Sequence, residues 1–241
     1  MPEALTYSIV IPCYNESGNL RAMLQIFSDF IGKYPAELIL VDNGSTDETP
    51  RMKDELCGSY PFVRWVSVAK NRGYGHGIFT GIGEAKGKYI CYTHADLQTD
   101  PVDVERAILL QQQSSDANIL IKGQRKGRKW IDRFFSRGLE IVVAAILGVK
   151  LREINAQPNL FPATLVTHLK NPPDHWGFDL YLYYIAKKHK QTEIRIDVLF
   201  PDRKTGMSKW KTGNAPRLRF SANLLKYCFI LRKSSSNKRK T

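Results

Sequence analysis

Val41-Asp42-Asn43-Gly44-Ser45-Thr46-Asp47 and Thr93-His94-Ala95-Asp96-Leu97-Gln98 each set acidic and polar side chains directly after an apolar run of β type, about fifty residues apart. In an open parallel sheet, ligands collect outside the carboxyl ends of the strands. Two acidic turns at such ends suit a nucleotide diphosphate and its metal. The fold read from them is α/β, Rossmann-like, with a mostly parallel central sheet flanked by helices.

Working outward, Tyr7–Pro12 reads as a buried strand, and Tyr14-Asn15-Glu16-Ser17 turns into a helix with Leu20, Met23, Leu24, Phe27 and Ile31 on one side. Strands follow at Glu37–Val41 and Phe62–Val68, then a Gly-rich helix over Gly73–Ala85 and a strand at Tyr89–Tyr92. Strands alternating with helices imply parallel pairing. Further on come a helix at Asp103–Gln113, a strand at Ala117–Lys122, and a long helix at Trp130–Val149. The remainder reads as a strand near Gln157–Phe161, a helix at Gly177–Lys188, a strand at Thr192–Phe200, a loop at Pro201–Lys211 and an amphipathic helix at Ala215–Arg232. No repeat or interdomain linker interrupts this order. The expected organisation is one domain over residues 1–212, a helix over 213–233 packed on it or on a membrane, and a basic, disordered tail over 234–241.

The chain has 241 residues, 43% hydrophobic and 24% charged, which is ordinary for one globular α/β domain. Its four cysteines lack metal or redox spacing and fit a reducing cytoplasm. The first residues carry no secretory signal pattern. The net charge of +13 is uneven: twelve Lys and Arg and no Asp or Glu follow Asp202. Such an end favours nucleic acid, anionic lipid or a polyanionic substrate. No helix-turn-helix, RNA-recognition or zinc-finger pattern accompanies it, so nucleic acid is not expected as a partner. Leu139–Val149 is apolar almost all round, yet it is too short for a bilayer that needs about 20 residues, so it is buried or lies along a membrane.

Asp42, ending a strand, suits a carboxylate that accepts hydrogen bonds from a base or ribose, with Pro12 and Tyr14 packing beside the base. The segment after it also reads simply as a turn with an N-cap. His94, Asp96 and Gln98 alternate along one short turn and can converge on a cation. Mg²⁺ wants oxygen ligands, and Mn²⁺ tolerates imidazole better, which makes Asp96 the strongest ligand candidate. Asn71-Arg72-Gly73-Tyr74-Gly75-His76-Gly77 opens a helix with three glycines that permit close backbone approach to a ligand, though it matches neither phosphate-loop pattern.

Ile11-Pro12-Cys13-Tyr14-Asn15-Glu16, Val41–Asp47, Asn71-Arg72-Gly73, His94–Gln98 and Arg203-Lys204-Thr205-Gly206-Met207-Ser208-Lys209, in that order, resemble the signature of family 2 inverting glycosyltransferases with a GT-A fold. The nearest branch is the polyprenyl-phosphate sugar synthases, of the dolichyl-phosphate mannose synthase kind, and the resemblance runs from about residue 7 to 210. It implies Pro12, Tyr14, Glu16, Asp42, Asn71, Gly73 and Ala95 around the nucleotide of a UDP- or GDP-sugar donor, and Asp96, Gln98 and His94 on Mg²⁺ or Mn²⁺. It also implies Arg125, Arg203, Ser208 and Lys209 on the phosphates of donor and acceptor, with Asp96, Arg125, Glu153 and Arg203 as the catalytic set. Arginine suits such a place because it grips phosphate through paired hydrogen bonds.

Three departures stand out. His94 replaces the first Asp of the family's DXD, and Asn43 stands where a second Asp is usual. Glu153-Ile154-Asn155-Ala156-Gln157-Pro158-Asn159-Leu160-Phe161 replaces the family's Asp followed by Ser-Gly-Phe-Arg. The expected reaction is a direct, inverting displacement at the anomeric carbon. A polyprenyl phosphate acceptor needs no base, whereas a saccharide hydroxyl needs one, for which Glu153 is the candidate. A lipid acceptor implies a peripheral enzyme on the cytoplasmic face of a membrane, held at an anionic surface by its basic end. A nucleotidyltransferase would need a Gly- and Arg-rich phosphate loop near the N-terminus, which Ile11–Glu16 is not. A catalytically dead relative is the other alternative.

Overall fold

The computed structural model describes residues 4–127, 130–199 and 214–237. Arg203, Ser208 and Lys209, with the rest of the expected loop at 201–211, lie outside the described residues, as do 238–241 of the expected tail.

Seven strands form one sheet: β1 (Tyr7–Cys13), β2 (Ala36–Asp42), β3 (Val63–Ser67), β4 (Tyr89–Tyr92), β5 (Ile119–Lys126), β6 (Asn159–Pro162) and β7 (Thr192–Leu199). Their spatial order is β3-β2-β1-β4-β6-β5-β7. β1 pairs in parallel with β2 and β4, β2 with β3, and β5 with β7. β6 is the exception, antiparallel to both β4 and β5. It thereby reverses between two parallel blocks, and the carboxyl ends of β1, β2, β4, β5 and β7 all open on one edge of the sheet.

The buried residues of β1, Tyr7 to Ile11 and Cys13, show why this strand takes the centre: it is apolar on both faces, as a covered parallel strand must be. Ile9 and Ile11 meet Leu20, Met23, Leu24 and Phe27 of α1 (Ser17–Ser28) and Val104 and Ile108 of α4 (Val102–Gln113) in one core layer. Val10 on the opposite face joins a second layer with Ile78 and Ile82 of α3 (Tyr74–Glu84) and the apolar residues of α6 (Phe178–Lys188). The expected alternation of elements is thus present, with one addition: α2 (Lys53–Ser59), between β2 and β3, has only Leu56 fully buried, too little apolar periodicity to announce itself.

α5 (Trp130–Leu147) and α7 (Asn214–Asn237) pack against each other. α7 buries Leu224, Cys228 and Leu231 in the second layer, while α5 buries Val143. Trp130, Phe134, Ile141 and Val142 of α5, and Phe229 and Ile230 of α7, are exposed. One side of each helix thus packs on the domain, and another stays apolar and exposed. No described helix is long and apolar enough to cross a membrane.

Candidate active site

Parallel pairing sets Cys13 of β1 beside Asp42 of β2, and Val10 of β1 beside Tyr92 of β4. The loops leaving β2 and β4 therefore flank the loop leaving β1 on the same edge. With strands about 4.8 Å apart, two strands separate them by roughly 10 Å, about the span of a metal-bound diphosphate group.

On the β2 side, Asp42 is buried, and its Oδ1 accepts from the Ser45 amide at 2.9 Å. The turn reading and the carboxylate reading are thus compatible. The loops of β1 and β2 lock together: the Asn15 amide donates to Ser45 Oγ at 3.0 Å and the Thr46 amide donates to Asn15 Oδ1 at 2.8 Å. Asn15 has φ of 58°, the left-handed region that asparagine tolerates. Asp47 Oδ2 accepts from the Ser17 amide at 3.2 Å, supplying the start of α1 with an anionic cap, and these hydrogen bonds hold its carboxyl below the usual range despite partial burial. Glu16 turns its Oε2 to Asn19 Nδ2 at 2.6 Å, while Tyr14 is 38% exposed above the edge, where a flat base can lie on its ring. Pro12 is half-buried at the strand end.

On the β4 side, Asp96 is only 9% exposed, and its Oδ1 accepts from the Gln98 amide at 3.1 Å, which fixes the carboxylate against its own turn beyond the strand end. Ala95 is buried beneath it. His94 is drawn into an aromatic group, with its ring 5.5 Å from Tyr74 and 6.4 Å from Trp176. Among the described residues no three His, Cys, Asp or Glu side chains form a cage for a metal. One carboxylate, an amide side chain and an imidazole still fit a divalent cation that takes its remaining ligands from phosphate oxygens and water, the usual arrangement for Mg²⁺.

The glycines that open α3 let other backbone come close. A Cβ on Gly73 would stand 2.3 Å from the Asp174 carbonyl oxygen, and one on Gly75 2.1 Å from that of Pro173. The space these glycines open is filled by the chain's own 172–176 loop. Asn71 Oδ1 accepts from the Gly73 amide at 2.8 Å, the His76 amide donates to Asp174 O at 3.1 Å, and Arg72 pairs with the Asp174 carboxylate at 3.0 Å. The close backbone approach expected of this segment is thus, at Gly73 and Gly75, an approach to the chain's own loop.

Asn43 explains itself in the same place. It is buried, and its Nδ2 donates to the Gly73 carbonyl at 2.8 Å, a bond that an Asp carboxylate cannot make. The departure from the family pattern is a tie between β2 and α3.

Behind this edge runs a buried polar row. Sheet register aligns Tyr92, Asn159, Lys122 and Arg195 across β4, β6, β5 and β7. The Lys122 Nζ donates to Ile154 O at 2.7 Å, Ala156 O at 2.9 Å and Asn159 Oδ1 at 2.8 Å, and burial pulls its pKa down to about 7. Asp179, fully buried in the first turn of α6, accepts at Oδ1 from Tyr92 Oη at 2.7 Å and Gln157 Nε2 at 3.2 Å. Burial raises its carboxyl above the usual range. Gln157 Nε2 also donates to Tyr74 Oη at 3.0 Å, which joins the row to the aromatic group beside Asp96. Tyr74, Trp176 and Asp179 were not foreseen from the sequence. The one available signal was a carboxylate in an otherwise aromatic and aliphatic helix turn, Trp176-Gly177-Phe178-Asp179-Leu180.

Arg125, at the end of β5, donates from Nε to Glu153 Oε2 at 2.7 Å, and both side chains are mostly shielded. The Glu153 amide in turn donates to Glu140 Oε1 of α5 at 2.7 Å, and Glu153 itself has φ of 47°. The pair sits on the same edge as Asp96, two strands along.

A covered parallel sheet with acidic turns at its carboxyl edge and one reversed strand defines a GT-A type of α/β fold, and solved GT-A structures overlay it. Glucosyl-3-phosphoglycerate synthase from Mycobacterium tuberculosis, solved with Mn²⁺, uridine-diphosphate-glucose and glycerol 3-phosphate, matches with a TM-score of 0.70 at 18% identity, over 95% of this chain and 80% of that one. The model of glycosyl transferase family 2 matches residues 8–188, and the chain belongs to that family. Among curated relatives, dodecaprenyl-phosphate galacturonate synthase of Rhizobium johnstonii is 30% identical over 177 residues, 70% of this chain and 51% of that protein. Undecaprenyl-phosphate 4-deoxy-4-formamido-L-arabinose transferase of Edwardsiella ictaluri is 27% identical over 208 residues, 84% of this chain and 62% of that protein. The chain thus spans between half and two thirds of the length of these relatives.

Proposed function

We propose that this protein transfers a sugar, with inversion, from a nucleotide-sugar donor to a polyprenyl phosphate at the cytoplasmic face of a membrane. The observation that carries the reading is the pairing of β2 and β4 on either side of β1, which sets Asp42 and Asp96 on one edge with Tyr14 between them. The kinship to two prenyl-phosphate sugar enzymes supports the acceptor class.

In this mechanism Tyr14 and Asp42 hold the nucleoside, and Asp96, with Gln98 and His94, holds Mg²⁺ or Mn²⁺. When bound, the cation offsets the charge that grows on the departing diphosphate. Arg125 faces the acceptor phosphate, whose oxygen is ionised at neutral pH and attacks the anomeric carbon without giving up a proton. Arg203, Ser208 and Lys209 are assigned to donor and acceptor phosphates on the family resemblance. Positioning and charge stabilisation then account for the rate. Glu153 already accepts from Arg125, which suits orienting the guanidinium better than taking a proton from a hydroxyl. The exposed residues of α5 and α7, together with the basic stretch after Asp202, would rest on anionic lipid.

The test is a panel of UDP- and GDP-sugars with Mn²⁺ or Mg²⁺ and a short polyprenyl phosphate, scored for released nucleoside diphosphate. Release that requires the lipid phosphate supports the reading. Release that requires a saccharide instead, or none with any donor, overturns it.

A further inference from the structure

Trp176 lies flat on Tyr74, ring centroids 4.1 Å apart and planes 15° apart, with the indole 42% exposed. Little about this stack is free to adjust. Tyr74 Oη is held by Gln157 and shares the buried Asp179 carboxylate with Tyr92. Trp176 sits on a loop pressed against Gly73 and Gly75 and tied by Arg72 and His76 to Asp174. His175 of the same loop meets the Tyr227 ring of α7 edge-on at 5.3 Å. A large aromatic face is thus kept open to solvent by buried hydrogen bonds on one side and a pinned backbone on the other.

Its position indicates what it is for. Tyr74 contacts His94, and the Asp96 carboxylate lies near enough to reinforce the upward shift that burial gives the Tyr74 hydroxyl. The stack therefore borders the turn assigned to the diphosphate. The group attached to the far phosphate of a nucleotide sugar is its sugar ring. A pyranose has one face of C–H groups and a rim of hydroxyls, and an aromatic π-face, negative at its centre, attracts the C–H side while leaving the rim to polar partners.

We propose that Trp176, backed by Tyr74, is the seat of the sugar being transferred, taking the apolar face of a pyranose on its exposed indole. The assignment rests on the nucleotide-sugar reading above. Lipid is a poorer occupant, because a single ring pair beside a carboxylate offers no continuous apolar track, and the largest group of exposed apolar side chains among the described residues lies on α5.

Titration calorimetry with MnCl₂ and UDP, UDP-glucose, GDP or GDP-mannose, run on the full chain as wild type, Trp176→Ala and Trp176→Phe, tests it. The expected result is an unchanged Kd for the nucleoside diphosphate in Trp176→Ala, with the Kd for the matching nucleotide sugar weakened roughly three- to tenfold and largely restored in Trp176→Phe. Equal weakening of both ligands, or of neither, overturns the proposal. So does an unchanged donor Kd with a raised KM for polyprenyl phosphate, which would give the indole to the acceptor. If wild type binds neither nucleotide nor nucleotide sugar, the broader reading fails and the seat with it.

Discussion

Asn43 Nδ2 and the carbonyl oxygen of Gly73 are 2.8 Å apart, a buried hydrogen bond that joins the end of the second strand to the start of the third helix. The family pattern favours Asp here, yet Asn43→Asp would set an acceptor against an acceptor. Unfolding in urea is expected to show a loss of about 1–3 kcal/mol, the cost of a buried carbonyl without its donor. Unchanged stability would mean that this tie contributes nothing.

Asp96→Asn keeps the shape of the turn and removes its charge. Metal-dependent nucleotide binding by calorimetry is expected to drop sharply, and turnover by about 10²-fold or more, since metal-assisted charge stabilisation accounts for several kcal/mol. Full activity in the variant would move the cation elsewhere.

Glu153→Gln separates the two acceptor chemistries. With polyprenyl phosphate as nucleophile the loss in kcat is expected to be a few fold, because an amide oxygen still accepts from Arg125 Nε. Near-complete loss, with the Km values little altered, would identify Glu153 as a base and the acceptor as a hydroxyl.

Lys122 gives a pH signature. Burial lowers its pKa from 10.5 to about 7, so above pH 7 the unfolded chain holds a proton that the folded chain has released. Stability is therefore expected to rise with pH above 7, by up to about 2 kcal/mol at pH 8.5, and to be flat in this contribution below 7. Above that window the buried thiols, whose pKa values are raised, act in the opposite sense. Lys122→Met should erase the slope and, by leaving three acceptors unmatched, cost about 2 kcal/mol or more in denaturant melts. A wild-type curve level from pH 7 to 8.5 would contradict it.

Sedimentation with vesicles tests the membrane surface. Binding to anionic but not neutral vesicles, reversed by salt, is expected from the basic stretch after Asp202. Replacing Phe229 and Ile230 by Ser should weaken it, since both side chains are exposed. Failure to sediment at low salt would remove the lipid surface from the account.

The donor half of the molecule was legible because each of its strands is a short apolar run closed by a polar turn, so that Asp42 and Asp96 could be set on a common edge from spacing alone. β6 was less so: Asn159–Pro162 is four residues long, and its reversed pairing with Tyr89–Tyr92 leaves no mark in composition. Trp176 reaches Tyr74 across about a hundred residues, a contact that no local pattern records. Gly73 and Gly75 were legible only in part for a related reason, since a glycine announces that something comes close without saying what. Lys122 looked like the polar end of a strand, whereas the carbonyls that surround it belong to the segment after Glu153.

The reversed strand β6 also acts as a seam. In space it stands between the strands whose loops carry Tyr14, Asp42 and Asp96, namely β1, β2 and β4, and the strand β5 that carries Arg125. Nucleotide and recipient are thus assigned to opposite banks of one reversed strand, so that exchanging a loop on one bank would leave the contacts of the other bank as they are.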